Sequence, residues 1–329
     1  MEILVLTEQD LRSCITLDND AVEAVEQAFV QLSQGKATVP PIMMLPVPQR
    51  RGEVDVKSAY IQGLDSLAVK IASGFFENFK QGLPSASGLM VLVSTETGFP
   101  RAVLLDNGYL TQVRTGAAGA IASKYLAPRN VETAGVVGAG TQARYQVRGL
   151  KLVRDFKRLL IYSLYEQDTD RYIEEMSAEL GVEIRKAASV EALVANSAVV
   201  VTTTPSREPY LQAQWLHPGL HLTAMGTDTE EKQELYPDVL ARADLLVCDL
   251  ASQCRRLGEL HHAVDRGLIG EADDVAELGE LIAGARAGRT SESQISVCDL
   301  TGVGVQDTAI ARLAFQKAAE GKLGLPVVS

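Results

Sequence analysis

Cysteine is scarce, with four residues in 329, and Cys14, Cys248, Cys254 and Cys298 stand far apart without CxxC spacing. That pattern excludes a disulfide framework and fits reduced thiols in a cytoplasmic protein. Long apolar runs are missing as well: none reaches the roughly 18 residues that a membrane span needs. The first ten residues, Met1 to Asp10, carry no basic region, so no secretory signal is expected. Positive charge is in deficit, 31 Lys and Arg against 42 Asp and Glu, for a net charge of -11. Nucleic acid and anionic membranes need clustered cations and are excluded as partners; an anionic ligand has to be gripped by a few local ones. No GxSxG or cysteine-based nucleophile signature occurs, which argues against covalent hydrolysis. What is present is the balance of a folded chain, 46% hydrophobic and 22% charged, too long for one ordinary core. Two domains with a cleft between them are expected.

Apolar residues at helical spacing (Ala21, Val22, Val25, Ala28, Phe29, Leu32) predict a helix over 18–35, with Asp18 or Asn19 as its cap. A Pro-rich segment follows at 39–48, then strands over 54–60, 66–71 and 88–94 with turn signals between them. The helix predicted at 111–126 is rich in Ala and Gly, so another backbone can approach it closely, and the domain crossing is placed there. Short apolar strands then alternate with helical windows: 133–137, 158–163, 198–203, 221–225, 244–249 and 295–299. This alternation reads as a parallel sheet covered on both faces, a doubly wound α/β fold. A Gly-rich passage over 301–307 leads into a final helix over 308–320, expected to return to the first domain.

The strongest local motif is Gly138-Ala-Gly140-Thr-Gln-Ala143, a GxGxxA that ends one strand and opens a helix near Thr141. Gly138 makes the tight turn, Gly140 admits the pyrophosphate, and Ala143 keeps helix and sheet close. The helix N-terminus then faces the phosphates of a dinucleotide. The second strand ends at Ser163 where an acid for the ribose is usual, with Glu166 and Arg171 further on, which leaves NAD and NADP both open. Ligands of such a sheet lie beyond the carboxyl ends of its strands, which draws attention to Thr202-Thr203-Thr204 and to Met225-Gly226-Thr227-Asp228. Asp228 can exchange a proton beside a nicotinamide; taken alone, it also reads as a turn aspartate bonded to its own backbone. In the first domain Lys57, Lys70 and Arg114 are cations near apolar segments, suited to a carboxylate. His261 and His262 are adjacent and point about 100° apart on a helix, a poor chelate, so no metal site is expected.

Taken together, Val69-Lys70-Ile-Ala, Gly82-Leu-Pro84, Gly88-Leu-Met-Val-Leu, Tyr109-Leu-Thr-Gln-Val-Arg114-Thr-Gly-Ala-Ala, Val137–Ala143, Met225–Asp228 and Asp299–Asp307 make the chain resemble the ornithine cyclodeaminase and mu-crystallin family nearly end to end. Ala224–Thr229 and Lys232-Gln-Glu-Leu look most like the cyclodeaminase-like proteins of ectoine utilisation and the iminosuccinate reductases. The resemblance implies a Rossmann-type domain over 121–305 and an α+β substrate-binding and dimerisation domain from 1–120 plus 306–329. It implies a homodimer with its active site between domains. Asp228 and Lys70 are then catalytic, and Arg114, Lys57 and Arg51 hold the substrate. Gly138, Gly140, Thr141, Gln142, Ala143, Ser163, Thr203, Thr204, Met225, Gly226 and Thr115 would surround NAD or NADP, without a metal. In a cyclodeaminase an acid is expected near Lys57 for ornithine's cationic side chain, whereas Lys57 repels an ammonium and attracts a second carboxylate; Asp55 or Glu53 supplies that acid if the register slips. The expectation is an NAD(P)H-dependent reductase of a small imino acid, with an ornithine cyclodeaminase-type lyase as the alternative and a non-enzymatic ligand-binding protein third.

Overall fold

The computed structural model describes residues 2–75 and 77–328. The chain divides into two compact units, one of Met1–Arg114 with Val303–Ser329 and the other of Thr115–Gly302.

The discontinuous unit begins with β1 (Glu2–Thr7), α1 (Glu8–Cys14), α2 (Asn19–Ser33), β2 (Ala37–Thr38) and β3 (Met43–Val47). It continues through β4 (Gly52–Ile61), β5 (Ser66–Phe75), β6 (Ala86–Ser94) and β7 (Pro100–Leu105), and then into α3 (Tyr109–Leu126). Asp18 caps α2 by accepting the Ala21 amide at 2.9 Å, and the apolar stripe foreseen for this helix is buried. Among the described residues eight strands form its sheet, in the order β16-β1-β7-β6-β5-β4-β2 with β3 also on β4, where β16 is Leu325–Val328. The Pro-rich segment holds β3. Pro46 is tolerated there because β3 pairs only with β4, and an edge strand does not need every N–H. Strand alternation sends Leu6, Ala59, Ala68, Met90, Leu92 and Leu104 to one face, all nearly inaccessible to water. The last helix, α11 (Gly304–Glu320), packs on that face against α2, β4 and β5.

This helix starts four residues earlier than the sequence suggested. Gly304 is not part of a loose loop: a Cβ there would lie 2.3 Å from the Ser58 carbonyl oxygen, so the glycine lets helix and strand touch. Gln306 and Asp307 consequently stand on the first turn of α11.

The continuous unit carries β8 (Thr133–Val137), α4 (Thr141–Val153), β9 (Arg158–Tyr162), α5 (Glu166–Leu180), β10 (Glu183–Lys186), α6 (Val190–Ala195), β11 (Val199–Thr202) and β12 (His221–Ala224). Then come α7 (Asp238–Ala241), β13 (Leu245–Cys248), α8 (Ala251–Cys254), α9 (Glu259–Asp265), β14 (Ala276–Glu277), α10 (Leu278–Ile282) and β15 (Ser296–Asp299). The described strands form one parallel sheet in the order β10-β9-β8-β11-β12-β15-β13-β14. Chain direction across the sheet reverses between β8 and β11, the switch point at which doubly wound sheets open a crevice. The strands β8, β11, β12 and β15 are buried on both sides, as helices on both faces require.

Candidate active site

In the discontinuous unit, Lys57 on β4 pairs directly with Lys70 on β5, so both side chains project from the same face of the sheet. That face is the apolar one under α11, and Lys57 and Lys70 are only 7% and 2% exposed. Asp307 on α11 answers them, accepting from Lys70 Nζ at 2.9 Å and lying 3.1 Å from Arg114 Nε. Gln306, next to it, accepts from Arg114 Nη1 at 2.8 Å through Oε1. Burial, with the nearby Arg114, drives the Lys70 ammonium down to about 7, even though Asp307 opposes the shift. Burial also pushes the Asp307 carboxyl upward, but Lys70, Arg114 and Lys57 outweigh it and hold the acid below its ordinary value. At the entrance to α3, Asp106 accepts the Leu110 amide at 2.8 Å, and burial lifts its carboxyl to about 6.

Gln306 Nε2 and Asp307 Oδ2 are buried without a protein partner. Buried polar atoms are rarely left so, and a donor and cations gathered on one spot make a receptor for a carboxylate.

In the continuous unit the Gly-rich turn sits at the switch point. Gly138 has φ +108°, and a Cβ on it would come within 2.5 Å of Thr203 Oγ1. Gly140 is the reverse case: it precedes the first turn of α4, and a Cβ there would meet nothing within 4 Å. One glycine is demanded by the fold and the other keeps space open before a helix N-terminus. That is the cradle a pyrophosphate needs. On the other side α3 and α4 cross closely, since a Cβ on Gly149 would lie 2.4 Å from the Gly116 carbonyl oxygen.

Beyond β12 the chain turns through Met225-Gly226-Thr227-Asp228. Asp228 has a side-chain partner four residues on. Its Oδ1 accepts from Lys232 Nζ at 2.6 Å, while its side chain keeps 44% of its exposure. An anchored but accessible carboxylate is equipped to exchange a proton with a ligand.

The comparison with known proteins decides the family. The model of the ornithine cyclodeaminase/mu-crystallin family matches residues 1–322. The chain belongs to that family. It is 51% identical over 321 residues, 97% of either chain, to an uncharacterized cyclodeaminase of Sinorhizobium fredii. Among solved structures it superposes with a TM-score of 0.94 on the Δ1-pyrroline-2-carboxylate reductase of Thermococcus litoralis in complex with NADH and L-proline, at 32% identity over 99% of this chain and 100% of that one. The iminosuccinate reductase of Paracoccus denitrificans in complex with NAD+ gives 0.91 at 31% identity over all of both chains.

For this cyclodeaminase-family chain, the structure brings Lys57, Lys70 and Arg114 together in one unit, and Gly138, Gly140, Thr203 and Gly226 to the carboxyl ends of neighbouring strands in the other. Thr141, Gln142 and Ala143 form the first turn of α4. Met225 and Thr204 lie in the loops after β12 and β11, and Ser163 directly follows β9. Thr115 is buried on α3, where its carbonyl accepts from Gln146 Nε2 at 2.8 Å. Arg51 is not brought to the cluster. It sits at the β3–β4 turn with φ 45°, its side chain 73% exposed and 4.0 Å from Glu77. Glu53 and Asp55 share the face of Lys57, but the β4–β5 register sets Lys57 itself opposite Lys70. His262 gives Nε2 to the Lys232 carbonyl at 2.7 Å and His261 lies 3.5 Å from Asp265, so each has a protein partner. Sequence reasoning missed Asp307, Gln306 and Lys232 as working residues. The glycines of 301–307 read as a loop, whereas Gln306 and Asp307 stand on α11, and nothing local to Lys232 marks it as the partner of Asp228.

Proposed function

We propose that the protein is an NAD(P)H-dependent reductase that converts a small imino acid into an L-amino acid, with a dicarboxylic imine of the iminosuccinate class as its preferred substrate. The observation that carries this is the buried Lys57–Lys70 pair beside Arg114. Lys57, Lys70 and Arg114 gather three cations in an apolar layer, with Asp307, Asp55 and Asp106 as the acids near them and Gln306 Nε2 buried without a protein partner. A substrate carboxylate is the anion that such a group of cations, with the Gln306 donor beside it, is suited to hold. Lys70 and Arg114 hold the α-carboxylate, and Lys57 draws a second. The same lysine repels the side-chain ammonium of ornithine, which disfavours a cyclodeaminase.

Gly138, Gly140 and the first turn of α4 fit a dinucleotide, and bound nicotinamide supplies the hydride. The chain's own contribution is to bind, orient and protonate. Asp228 keeps the imine nitrogen cationic by supplying a proton directly or through water, and Lys232 holds that carboxylate in place. The likeness to an imine reductase crystallised with NADH and L-proline and to an iminosuccinate reductase crystallised with NAD+ supports this reading.

The test is oxidation of NADH and of NADPH with oxaloacetate, pyruvate or glyoxylate, each with ammonia, run beside ornithine with catalytic NAD and an ammonia readout. Consumption fastest with oxaloacetate is the expected result. Ammonia from ornithine without net cofactor change identifies a cyclodeaminase and overturns the proposal. Asp228→Asn should bind NADH normally and lose turnover; full activity would remove Asp228 from its role.

A further inference from the structure

Behind the loops that follow β11 and β12 lie two buried carboxylates, Glu234 and Glu259, that the reaction itself does not use. Glu234 is completely inaccessible and gathers five donors. Oε1 accepts from the Thr204 amide at 2.6 Å, the Thr204 hydroxyl at 2.7 Å and the Tyr210 hydroxyl at 2.7 Å. Oε2 accepts from Thr202 Oγ1 at 2.7 Å and from the Gly226 amide at 2.9 Å. One carboxylate thus ties the loop after β11 to the loop after β12. The first loop borders the switch point between β8 and β11, where ligands of such sheets bind, and the second follows the next strand of the sheet. Gly226 is held so closely that a Cβ would lie 2.1 Å from the Thr204 carbonyl oxygen and 2.6 Å from the Glu234 carboxyl.

Glu259, on α9, supports this arrangement from behind. It accepts from the backbone amides of Glu234 at 2.8 Å and Leu235 at 3.2 Å, and from Thr227 Oγ1 at 2.5 Å. Thr227 directly precedes Asp228. The segment 226–235 is therefore fastened at Gly226 and Thr227, by the Lys232–Asp228 ion pair, and at its far end.

We propose that Glu234 and Glu259 are positioning residues: stacked carboxylates that set the two cofactor-facing loops and Asp228 at a fixed separation. This rests on the dinucleotide site described above and not on the identity of the imine. A carboxylate is required because Glu234 serves two backbone amides from opposite oxygens. A glutamine has one acceptor oxygen, so either orientation sets its NH2 against the Thr204 or the Gly226 amide. Burial raises the carboxyls of both residues, and of Glu259 the more strongly, with Glu234 adding its charge. The pair keeps a proton more readily than ordinary glutamates and does not need two full charges in the interior.

The test compares Glu234→Gln with Tyr210→Phe. The phenylalanine variant removes one donor to Glu234 and leaves both amide tethers. NADH affinity is followed by fluorescence titration, together with the melting midpoint and the kcat and KM of the best imine. Glu234→Gln is expected to bind NADH at least about tenfold more weakly and to lose on the order of a hundredfold in kcat, the penalty of a misplaced reacting geometry. Tyr210→Phe, at a similar melting midpoint, is expected to keep NADH affinity within about twofold. If both variants lose NADH affinity in proportion to melting midpoint, or Glu234→Gln binds NADH as the parent does, the proposal falls. Should Glu234→Gln fail to fold, Thr227→Val removes only the hydroxyl bond to Glu259 and is expected to lower kcat with unchanged NADH affinity; an unchanged kcat then rejects the brace. The NADH measurement stands apart from the imine question, because a parent protein that binds NADH yet reduces no imine refutes the substrate reading while leaving this comparison valid.

Discussion

At the scale of single residues, the proposed carboxylate receptor would work through charges that burial has made responsive. Lys70 loses its proton near pH 7 in the free protein, and only the charged form attracts a carboxylate. Substrate capture, read as kcat/KM, should therefore fall as pH rises through about 7. Lys70→Arg, which stays charged, should move that limb upward by more than one pH unit. A parallel profile for the two proteins would show that Lys70 does not hold the substrate. Asp307 is the opposite partner. Asp307→Asn leaves Lys70 and Arg114 buried without their acid, and removing one member of a buried pair costs about 3–5 kcal/mol. Urea titration should show that loss; a change below about 1 kcal/mol would mean that water or Asp106 already screens the cluster. Lys57→Ala tests selectivity in place of stability: reduction with oxaloacetate and ammonia should drop while that with pyruvate and ammonia rises relative to it.

Elements carry a different kind of information, and two glycines on α4 and the turn before it separate shape from binding. Gly149→Ala drives a Cβ into the Gly116 carbonyl, and overpacking of this kind costs about 1–3 kcal/mol, which a lowered melting midpoint would register. A Cβ at Gly140 meets no protein atom within 4 Å, so Gly140→Ala should leave the midpoint nearly unchanged while weakening NADH binding. Equal midpoints for both variants would contradict the close crossing of α3 and α4. The same contrast explains what was legible beforehand. The strands at 133–137 and 221–224 and helix α2 announced themselves, because apolar runs and helical spacing are local signals. β1, β7 and β16 were not read from the sequence: β16 is an exposed edge, β1 and β7 are only partly buried, and β1 finds its partners about a hundred and more than three hundred residues away. Asp307 was misplaced for a related reason. Two glycines in Thr301-Gly-Val-Gly read as a loop, whereas Gly304 is there for contact with Ser58, which only the fold reveals. Lys70 and Arg114 were legible as cations, but their shared acid was not.

On the scale of the whole molecule, the discontinuous unit shows one unfinished surface. The face of its sheet opposite α11 is lined by Ile3, Val5, Val56, Tyr60, Ile71, Leu89, Val91, Val103 and Leu105, with Met43 and Leu45 beside them. Tyr60, Ile71 and Leu105 are about 40% exposed. Monomers seldom leave so broad an apolar surface to water, and a second copy of the chain is the expected cover. Light scattering should give twice the 35.4 kDa chain mass, and Ile71→Asp with Leu105→Asp should halve it; a monomeric parent would refute this. No helix among the described residues is long and apolar enough to cross a membrane.

The insertion of one unit into the other also orders events during synthesis. Lys70 leaves the ribosome 237 residues ahead of Asp307, so the early strands wait without that acid while the nucleotide-binding half is still being made. That half is contiguous and can settle as it emerges. The carboxylate receptor is the last thing to form, when α11 closes over β4 and β5. A chain terminated before Gly304, 26 residues short, would carry every glycine of the nucleotide cradle and still lack Gln306 and Asp307 of the proposed receptor.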